Sequence, residues 1–376
     1  MKILSIIVDL NKGGAEINFF RLNSFLNDQG FKILVICLTK NGYFSKKFEN
    51  LNIEVIHLDI GFNLKIFGKL LLLNKIIKQF NPNQVHTWMY HSNVIGGLLA
   101  KINGVKKIIW NIRHGNYKLG STKITTIFFI FLNSFFSYFI PNTIIFNSNS
   151  SKIFHNKIFF KNRISHVIYN GIDTNFFYPF NKNISLFNEL NLNKNVFLIG
   201  MFARSSPQKD HVTLIKSIDI LIKEKKYKDI HCLLVGKSIP KNELIINTIQ
   251  KLNLTKNFTL LDHEDNLVDF YNLLDIHILC SNYGESFSNS LLEAMSCGIP
   301  SISTDAGDVS NLIIDKKLIC KIKNINQITS SIIYLKKMKQ NNNNWVDLKK
   351  NIRTNVATKF HQEIMFKKFK ELIDEH

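Results

Sequence analysis

Residues 195–211 read NVFLIGMFARSSPQKDH, an apolar run that passes directly into a polar, basic loop. The apolar part has the length of a buried strand, and continuous Val/Ile/Leu runs are typical of parallel sheets covered by helices on both faces. A helix is predicted next, over 210–224. The stretch therefore predicts the first strand–loop–helix unit of a doubly wound α/β domain.

The same alternation of apolar runs and helical patterns occurs on both sides of this stretch. Downstream, strands are predicted in HCLLVG, FTLLD and IHILCS, each followed by a helix. Upstream, a complete set runs from KILSIIVDL to NTIIF and ends before the polar stretch NKNISLFNELNLNKN. Because the pattern restarts at 195, the sequence predicts two doubly wound domains.

The predicted domains are an N-terminal domain over 1–175 and a C-terminal domain over 176–357, with a hinge within 171–195. A C-terminal helix in 358–376 is expected to pack back toward the N-terminal domain. Two such sheets facing across a cleft bind ligands at the carboxyl ends of their strands, so the loops after strands are where chemistry is expected. NNNN at 341–344 is predicted to be a loop.

Composition places the chain among ordinary globular proteins. Of 376 residues 45% are hydrophobic and 20% charged, which excludes disordered and fibrous classes. The five scattered cysteines suggest no disulfide framework and fit a reducing, cytoplasmic compartment. The N-terminus MKILSIIVDL is interpreted as a buried strand and not as a signal peptide.

The net charge of +20 is unevenly distributed. Residues 1–180 carry +14, residues 181–376 carry +6, and between Asp59 and Asp173 there are 14 basic residues and no acidic one. This favours an anionic partner such as phosphate groups, a lipid surface or nucleic acid. Forty-three of the 48 basic residues are lysine, so the residue usage of an AT-rich genome is the alternative explanation.

Residues 124–151 carry no charge and are rich in Phe and Ile. Their length would allow a membrane span, but Asn, Ser and Pro residues interrupt the run. We predict a buried helix over 125–139, a strand over 143–147 and then a polar loop. A transmembrane helix is the alternative, and an interfacial role stays open.

Three loops after predicted strands carry residues suited to a phosphorylated ligand. Gly13 and Gly14 open the first helix, where the backbone can approach an anion, although NKGGAE is not a GxGxxG fingerprint. Arg204 and Lys209 lie in the loop after NVFLIGMFA, where two cations can clamp a diphosphate. Solvated surface is the alternative interpretation of each.

The third loop follows IHILCS and contains Glu285, with Glu293 in the helix beyond it. A carboxylate accepts hydrogen bonds from vicinal hydroxyls, as in the binding of sugars and riboses. Glu293 stands between Leu292 and Ala294, and a charge in an apolar helical run requires a partner. An acidic first helical turn is the alternative.

Together these motifs resemble retaining glycosyltransferase family 4, a class of GT-B enzymes that use nucleotide sugars. The resemblance rests on GGAE, GMFARSSPQKDH, the spacing from Glu285 to Glu293, NGID at 170–173, HTWMYHSN and RHG at 113–115. It covers nearly the whole chain. The sequence departs from the family at LLDHED (260–265), where relatives often have glycine, which affects the expected nucleobase contacts.

The resemblance implies that Arg204 and Lys209 bind the donor pyrophosphate and that Glu293 binds the ribose hydroxyls. Gly14 would let the N-terminal backbone approach the pyrophosphate. These residues together would hold the nucleotide part of the donor.

The resemblance also implies how the sugar is held. Glu285 and His114 are the expected catalytic-site contacts to the sugar, and the backbone N–H groups of Ser286, Phe287 and Ser288 would assist at the helix start. A structural role for His114 is the alternative. Front-face attack and a covalent intermediate both stay open, and Glu285 is not assigned as a nucleophile.

The sequence has no DxD motif or His/Asp ligand cluster, so we expect metal-independent transfer without a cofactor. The expected enzyme moves a hexose or N-acetylhexosamine from a UDP-linked donor to a glycan or polyprenyl-phosphate-linked acceptor in surface polysaccharide synthesis. It would be cytoplasmic, with peripheral contact to the inner membrane. The rival is another GT-B enzyme, such as a nucleotide-sugar epimerase; missing motifs argue against a dehydrogenase, and the paired carboxylates argue against nucleic-acid binding.

Overall fold

The computed structural model describes residues 1–60, 66–161, 164–193, 195–262, 264 and 266–375. The chain forms two compact units. The first consists of Met1–Asn170 and Phe366–His376, and the second of Gly171–Met365. Each unit has its own parallel sheet and its own buried core.

The first unit is built on a parallel sheet with the strand order β3-β2-β1-β4-β5-β6-β7. The chain therefore moves outward in one direction from β1 and then crosses to the other side at β4, which places a topological switch point between these two strands. The strands are β1 (Lys2–Ile7), β2 (Lys32–Cys37), β3 (Glu54–His57), β4 (Gln84–Trp88), β5 (Lys107–Ile112), β6 (Thr143–Phe146) and β7 (Ser165–Val167).

The helices of the first unit connect consecutive strands, as right-handed parallel crossovers require. They are α1 (Gly14–Asp28), α2 (Tyr43–Glu49), α3 (Ile66–Phe80), α4 (Tyr90–Ile102), α5 (Ile124–Phe136) and α6 (Asn149–Lys157). Apolar side chains from strands and helices, among them Leu4, Ile36 and Trp110, form one buried cluster.

The second unit repeats this design with the parallel order β10-β9-β8-β11-β12-β13. Its switch point lies between β8 and β11, which pair through Ile276 with Ile199 and His277 with Gly200. The strands are β8 (Phe197–Phe202), β9 (Ile230–Val235), β10 (Phe258–Leu261), β11 (Ile276–Leu279), β12 (Ser301–Thr304) and β13 (Ile319–Cys320).

The remaining helices accompany this second sheet or close the chain. They are α7 (Ile184–Glu189), α8 (His211–Lys223), α9 (Glu243–Lys251), α10 (Leu267–Leu273), α11 (Asn289–Ser296), α12 (Ile325–Lys339), α13 (Asn342–Lys359) and α14 (Gln362–Asp374). The two parallel sheets with helices confirm the predicted α/β class. The predicted cleft between the sheets stays a prediction.

Two predictions concern the connections between elements of the chain. The stretch 171–195, in which the hinge is predicted, contains α7. The two units divide after Asn170, immediately before this stretch. The predicted loop at 341–344 is wrong, because the Asn341 side chain accepts a hydrogen bond from the Asn344 N–H and caps α13. Asparagine is a favourable N-cap residue, so a run of asparagines can begin a helix as well as form a loop.

The uncharged stretch at 124–151 also differs from its prediction. The helix is present as α5, but it is buried on one side only, since Phe128, Phe131 and Phe135 are exposed. The predicted polar loop after β6 is wrong as well, because Ser148 accepts from the Ser151 N–H and caps α6. No helix among the described residues has both the length and the apolarity that a membrane crossing needs.

Candidate functional site

The loops after β8 and β11 carry most of the predicted donor-binding residues. Because these two strands are neighbours at the switch point of the second sheet, the loops that leave their carboxyl ends meet there. Arg204 and Lys209 lie in the loop after β8, and Glu285 lies in the loop after β11. Residues more than seventy positions apart in sequence thus come together at one sheet edge.

The loop after β8 is held by hydrogen bonds to its neighbours. The Ser205 N–H donates to the Lys237 carbonyl at 3.0 Å, and the Asn282 N–H donates to the Gln208 carbonyl at 2.8 Å. The Asn242 side chain donates to Ser205 Oγ at 2.6 Å. These contacts, from the chain after β9 and β11, fix the part of the loop that precedes Lys209.

Lys209 and Glu285 form an ion pair, with Nζ 2.5 Å from Oε2. Their side chains are 15% and 12% exposed, so the pair is largely shielded from water. Ser281 Oγ donates a second hydrogen bond, of 2.7 Å, to the same carboxylate oxygen. The arrangement orients a carboxylate and an ammonium at the edge of the sheet.

The pKa of Glu285 reflects opposing influences. Burial by itself would raise the pKa of this carboxyl, but the charge and hydrogen bond of Lys209, the hydroxyl of Ser281 and the charge of Arg204 lower it below its ordinary value. Glu285 is therefore ionised at neutral pH. An ionised carboxylate accepts hydrogen bonds from hydroxyl groups.

Arg204 lies on the exposed side of the same loop. Its Nη2 group donates to Gln208 Oε1 at 3.4 Å, and its charge acts on Glu285. The structure thus places both Arg204 and Lys209 near the same carboxylate, with the guanidinium in solvent and the ammonium largely shielded from water. Two cations in this arrangement are suited to bind a diphosphate.

Glu293 is buried on α11, at 6% exposure. The hydroxyl of Tyr271, on α10, donates a hydrogen bond of 2.9 Å to its Oε2. Burial, and then the neighbouring Glu293 charge, raise the pKa of Tyr271 well above its ordinary value, so the phenol stays a donor. Sequence reasoning missed Tyr271, because no motif marks a tyrosine 22 positions before its carboxylate.

The segment from Ser286 to Ser288 leads into α11, and all three side chains are buried. Ser288 is the N-cap residue, and the Phe287 ring lies 5.1 Å from that of Phe360. The Asp308 N–H donates to the Ser286 carbonyl at 2.9 Å. The predicted backbone donors therefore lie at the start of a helix, where N–H groups favour anions and oxygens.

A glycine that the sequence analysis did not select lies against this segment. Gly307 has φ +77°, and a Cβ atom added there would lie 2.4 Å from the Ser286 carbonyl oxygen and 3.0 Å from that of Glu285. Both the positive φ and the close approach require glycine. Gly307 therefore allows the chain after β12 to support the loop that holds Glu285.

In the first unit, Gly14 is the first residue of α1 and is exposed. Gly13 precedes it as the N-cap in an extended conformation, and its added Cβ would lie 2.2 Å from Glu16 Oε2. The two glycines thus follow β1 at the switch point of the first sheet, as the sequence predicts for an approach by a ligand.

His114 follows β5, and buried polar residues hydrogen-bond to its backbone and support that contact. Ser151 Oγ donates to its carbonyl at 2.6 Å, and the His155 ring bonds to the Ser151 carbonyl at 2.7 Å. His155 Nε2 and the Tyr90 hydroxyl lie 2.7 Å apart. Burial lowers the pKa of His155 to about 3, so this ring is neutral and serves as a hydrogen-bonding support.

Arg113 adjoins His114 and was not selected as a site residue. Its guanidinium lies 4.0 Å from the centre of the Trp88 ring and donates to the side-chain oxygens of Asn111 and Asn170, each at 3.2 Å. Burial lowers its pKa to about 9, which leaves it charged at neutral pH. A fixed cation therefore lies at the carboxyl end of the first sheet.

The predicted nucleobase region is described in part. Leu260 and Leu261 belong to β10, and Asp262 accepts a hydrogen bond of 3.1 Å from the Ser238 N–H. His263 and Asp265 lie outside the described residues. In the part of the chain that is described, no group of three or more His, Cys, Asp or Glu side chains is arranged to hold a metal ion.

The geometry defines a protein of two Rossmann-like units, with Lys209, Glu285 and Arg204 together at the carboxyl ends of β8 and β11 in the second. Two family models match it: Glycosyltransferase Family 4 over residues 12–176 and Glycosyl transferases group 1 over residues 183–353. The chain belongs to the group 1 glycosyltransferases of the GT-B fold, and it is a glycosyltransferase.

Curated relatives carry related names. The chain is 27% identical over 339 residues to the O-antigen biosynthesis glycosyltransferase WclY of Escherichia coli, covering 89% of this chain and 84% of the relative. It is 24% identical over 240 residues to an E. coli UDP-Gal:alpha-D-GlcNAc-diphosphoundecaprenol alpha-1,3-galactosyltransferase. That match covers 64% of this chain and spans only 62% of the relative's length.

Solved structures resemble the whole chain. Anabaena Alr3699/HepE in complex with UDP and glucose has a TM-score of 0.86 at 17% identity, covering all of both chains. Sucrose-phosphate synthase from Thermosynechococcus elongatus has a TM-score of 0.81 at 17% identity, covering 99% of this chain and 98% of that one. At these identities the likeness shows the fold alone, and it confirms the predicted GT-B class.

Proposed function

We propose that the protein is a retaining glycosyltransferase that moves a hexose or N-acetylhexosamine from a UDP-linked donor to a glycan or polyprenyl-phosphate-linked acceptor. The pathway would be the synthesis of a surface polysaccharide such as O-antigen, capsule or lipopolysaccharide. The observation that carries the proposal is the convergence of Arg204, Lys209 and the ionised Glu285 at the switch point of the second sheet.

In this proposal the nucleotide binds to the second unit. Arg204 and Lys209 contact the diphosphate, and Glu293, held by Tyr271, accepts hydrogen bonds from the ribose hydroxyls. The N–H groups at the start of α11 add donors for oxygens of the donor substrate. Gly14, at the start of α1, is assigned to the approach of the first unit's backbone to the diphosphate.

The reaction breaks the bond between the anomeric carbon and the diphosphate oxygen and forms a bond from that carbon to an acceptor hydroxyl oxygen. Negative charge develops on the leaving diphosphate, where Arg204 and Lys209 stabilise it. The acceptor's proton passes to the leaving phosphate. Glu285 and His114 are assigned to hold sugar hydroxyls. Glu285 is not assigned as a nucleophile, and front-face attack and a covalent intermediate both stay open.

The names of similar proteins support the choice of substrates. One relative is named for UDP-galactose and a diphosphoundecaprenol acceptor, another for O-antigen biosynthesis, and one similar structure contains UDP and glucose. We extend these names to a UDP donor and a lipid-linked acceptor here. The enzyme would then work in the cytoplasm, at the inner leaflet of the membrane, without a metal or another cofactor.

The experiment that tests this function begins with a thermal-shift screen of nucleotide sugars, because a ligand that binds the native state alone raises its stability. The donor that stabilises the protein is then supplied with lipid-linked acceptors in the presence of EDTA, and the anomeric configuration of the product is determined by NMR. Transfer with retention supports the proposal. Conversion of the donor alone, without acceptor, would instead indicate an epimerase, and loss of transfer in EDTA would overturn metal independence.

A further inference from the structure

The outward side of α5 is apolar along its whole length. Ile124, Phe128, Phe131 and Phe135 follow one another at intervals of four, three and four residues, so they share one side of the helix. They are 84%, 59%, 48% and 62% exposed. Together with two exposed aromatic residues of the following turn they form what we call the aromatic face, which comprises Ile124, Phe128, Phe131, Phe135, Tyr138 and Phe139.

The inward side of the same helix carries polar residues that donate hydrogen bonds to backbone carbonyls. Asn133 donates to the carbonyls of Tyr90 and Phe129 at 2.8 and 2.7 Å, and Ser134 donates to that of Ile158 at 2.6 Å. A surface helix ordinarily places its polar residues in water and its aromatic residues inside. In α5 the inward side also buries Phe129, yet three further aromatic residues, Phe128, Phe131 and Phe135, remain outside.

Neighbouring helices carry more exposed apolar side chains. Helix α4 packs against both α3 and α5. On α3 Phe67 and Leu71 are 71% and 70% exposed, and on α4 Ile102 is 68% exposed. Large exposed apolar surfaces on a soluble unit mark sites of interaction with another protein or a membrane.

The charges around the aromatic face select between these partners. No acidic residue occurs between Asp59 and Asp173, whereas exposed lysines occur throughout. Lys118 and Lys123 precede α5, and Lys157 closes α6. A second copy of this chain would bring lysines against lysines, while anionic lipid headgroups would neutralise them and accept the aromatic rings at the interface.

One of the basic residues between Asp59 and Asp173, Lys107, does not belong to this surface. Lys107 Nζ donates hydrogen bonds to the carbonyl of Ile373, at 3.1 Å, and to that of Glu375. Burial lowers the pKa of Lys107, and this effect outweighs the charges of Glu375 and Asp374, which raise it. The C-terminal segment therefore uses this lysine. Lys101, Lys106, Lys118 and Lys123 are exposed.

We propose that the aromatic face of α5, with its flanking lysines, docks the first unit on an anionic lipid membrane, with the rings in the headgroup region. The proposal rests on the proposed function in that a lipid-linked acceptor would lie in the same membrane. It assigns the docking to specific residues that are outside the donor site.

Flotation with phosphatidylcholine vesicles, with and without phosphatidylglycerol, tests the surface. The wild type is expected to float with the anionic vesicles at low salt and to be released at high salt. Lys123→Glu is expected to lower the partition coefficient by about fivefold or more, since each lysine near the surface contributes about a factor of five. Phe128→Ser/Phe135→Ser is expected to reduce flotation at both salt concentrations. Matched controls on the second unit, Lys256→Glu and Phe176→Ser, are expected to float like the wild type.

A spectroscopic reading tests insertion directly. Phe135→Trp is expected to shift its added fluorescence to the blue on anionic vesicles and to be quenched by brominated lipid, whereas Phe176→Trp is expected to show neither change. Absence of wild-type flotation, or flotation unaffected by the paired Phe variant, overturns the proposal. Concentration-dependent dimerisation that the paired Phe variant abolishes, without flotation, would assign the face to a second copy instead.

The two proposals fail separately. Flotation requires neither donor nor acceptor, so it is independent of whether transfer occurs. The paired Phe variant is expected to keep wild-type turnover on a soluble acceptor analogue and to lose activity on acceptor in vesicles. Loss of turnover on both would indicate that the variant is damaged, and flotation of Phe135→Trp then decides the question.

Discussion

Lys209 Nζ lies 2.5 Å from Glu285 Oε2, and this contact joins the loops that follow β8 and β11. Each residue is suited to a different part of a nucleotide sugar, the ammonium to phosphate and the carboxylate to hydroxyls. Each neutralises the other in a largely buried position. In the proposed function a bound diphosphate would share Lys209 with Glu285, which would couple donor binding to the orientation of the carboxylate.

Lys209→Ala is expected to lower the rate of transfer by about 10- to 100-fold, because a charge-assisted hydrogen bond to phosphate is worth about 1.5–3 kcal/mol. The measurement is kcat/KM with the donor found by screening. Lys256→Ala, which removes an exposed lysine elsewhere in the second unit, is the control and should leave the rate unchanged. Wild-type turnover by Lys209→Ala would remove this lysine from the donor site.

The stability contributed by Glu285 is expected to depend on pH. Its pKa in the folded protein lies below the ordinary value of 4.5, so its ionised form stabilises the fold above that pH, and the contribution is lost as the pH falls through the folded value. The free energy of unfolding of the wild type should therefore exceed that of Glu285→Gln at neutral pH, and the difference should shrink below pH 4.5. Denaturant unfolding of both proteins over a pH series measures it. A difference that is constant or grows in acid would contradict the assignment.

The sequence predicts the alternation of strands and helices, and with it the positions of Arg204, Lys209, Glu285 and Glu293 after or near strand ends. These features follow from local apolar runs and from residues placed at fixed distances after them. The ion pair between Lys209 and Glu285 could not be predicted from spacing, because it depends on β8 and β11 being neighbours in the sheet.

Other features escaped prediction because they depend on three-dimensional contacts. Tyr271 is one of several aromatic residues near β11, and its hydroxyl is significant only through the distance to Glu293. Position 307 requires glycine because the Ser286 carbonyl oxygen lies against it, and the sequence does not reveal that contact. Helix α5 is apolar on both sides, so its hydrophobicity could not indicate which side is buried.

Tyr271→Phe is expected to weaken UDP binding about tenfold, because Glu293 loses the hydrogen bond that orients it and is left buried with one partner fewer. Isothermal titration with UDP measures the effect. Tyr334→Phe removes a similar bond, of 3.0 Å to Asp315, away from the site and should bind UDP as the wild type does. Equal affinities for all three proteins would show that Tyr271 has no part in donor binding.

Gly307→Ala is expected to weaken UDP binding more than it lowers stability. The new Cβ would meet the Ser286 carbonyl at 2.4 Å and displace the loop that carries Glu285. Gly104→Ala is the matched control, since its φ of +73° imposes similar backbone strain while no atom lies within 4 Å of the added Cβ. Both variants should lose about 1 kcal/mol of stability through the backbone. Unchanged UDP affinity in Gly307→Ala would refute the supporting role.

Calorimetric titration of the wild type and of Arg204→Ala with UDP and UMP tests whether the loops after β8 and β11 bind a nucleoside diphosphate. The wild type is expected to prefer UDP over UMP because the second phosphate reaches Arg204 and Lys209. Arg204→Ala is expected to lose about 10- to 100-fold in UDP affinity and most of that preference, while UMP binding changes little. Equal binding of UDP by both proteins, or no preference for UDP over UMP in the wild type, would contradict the claim.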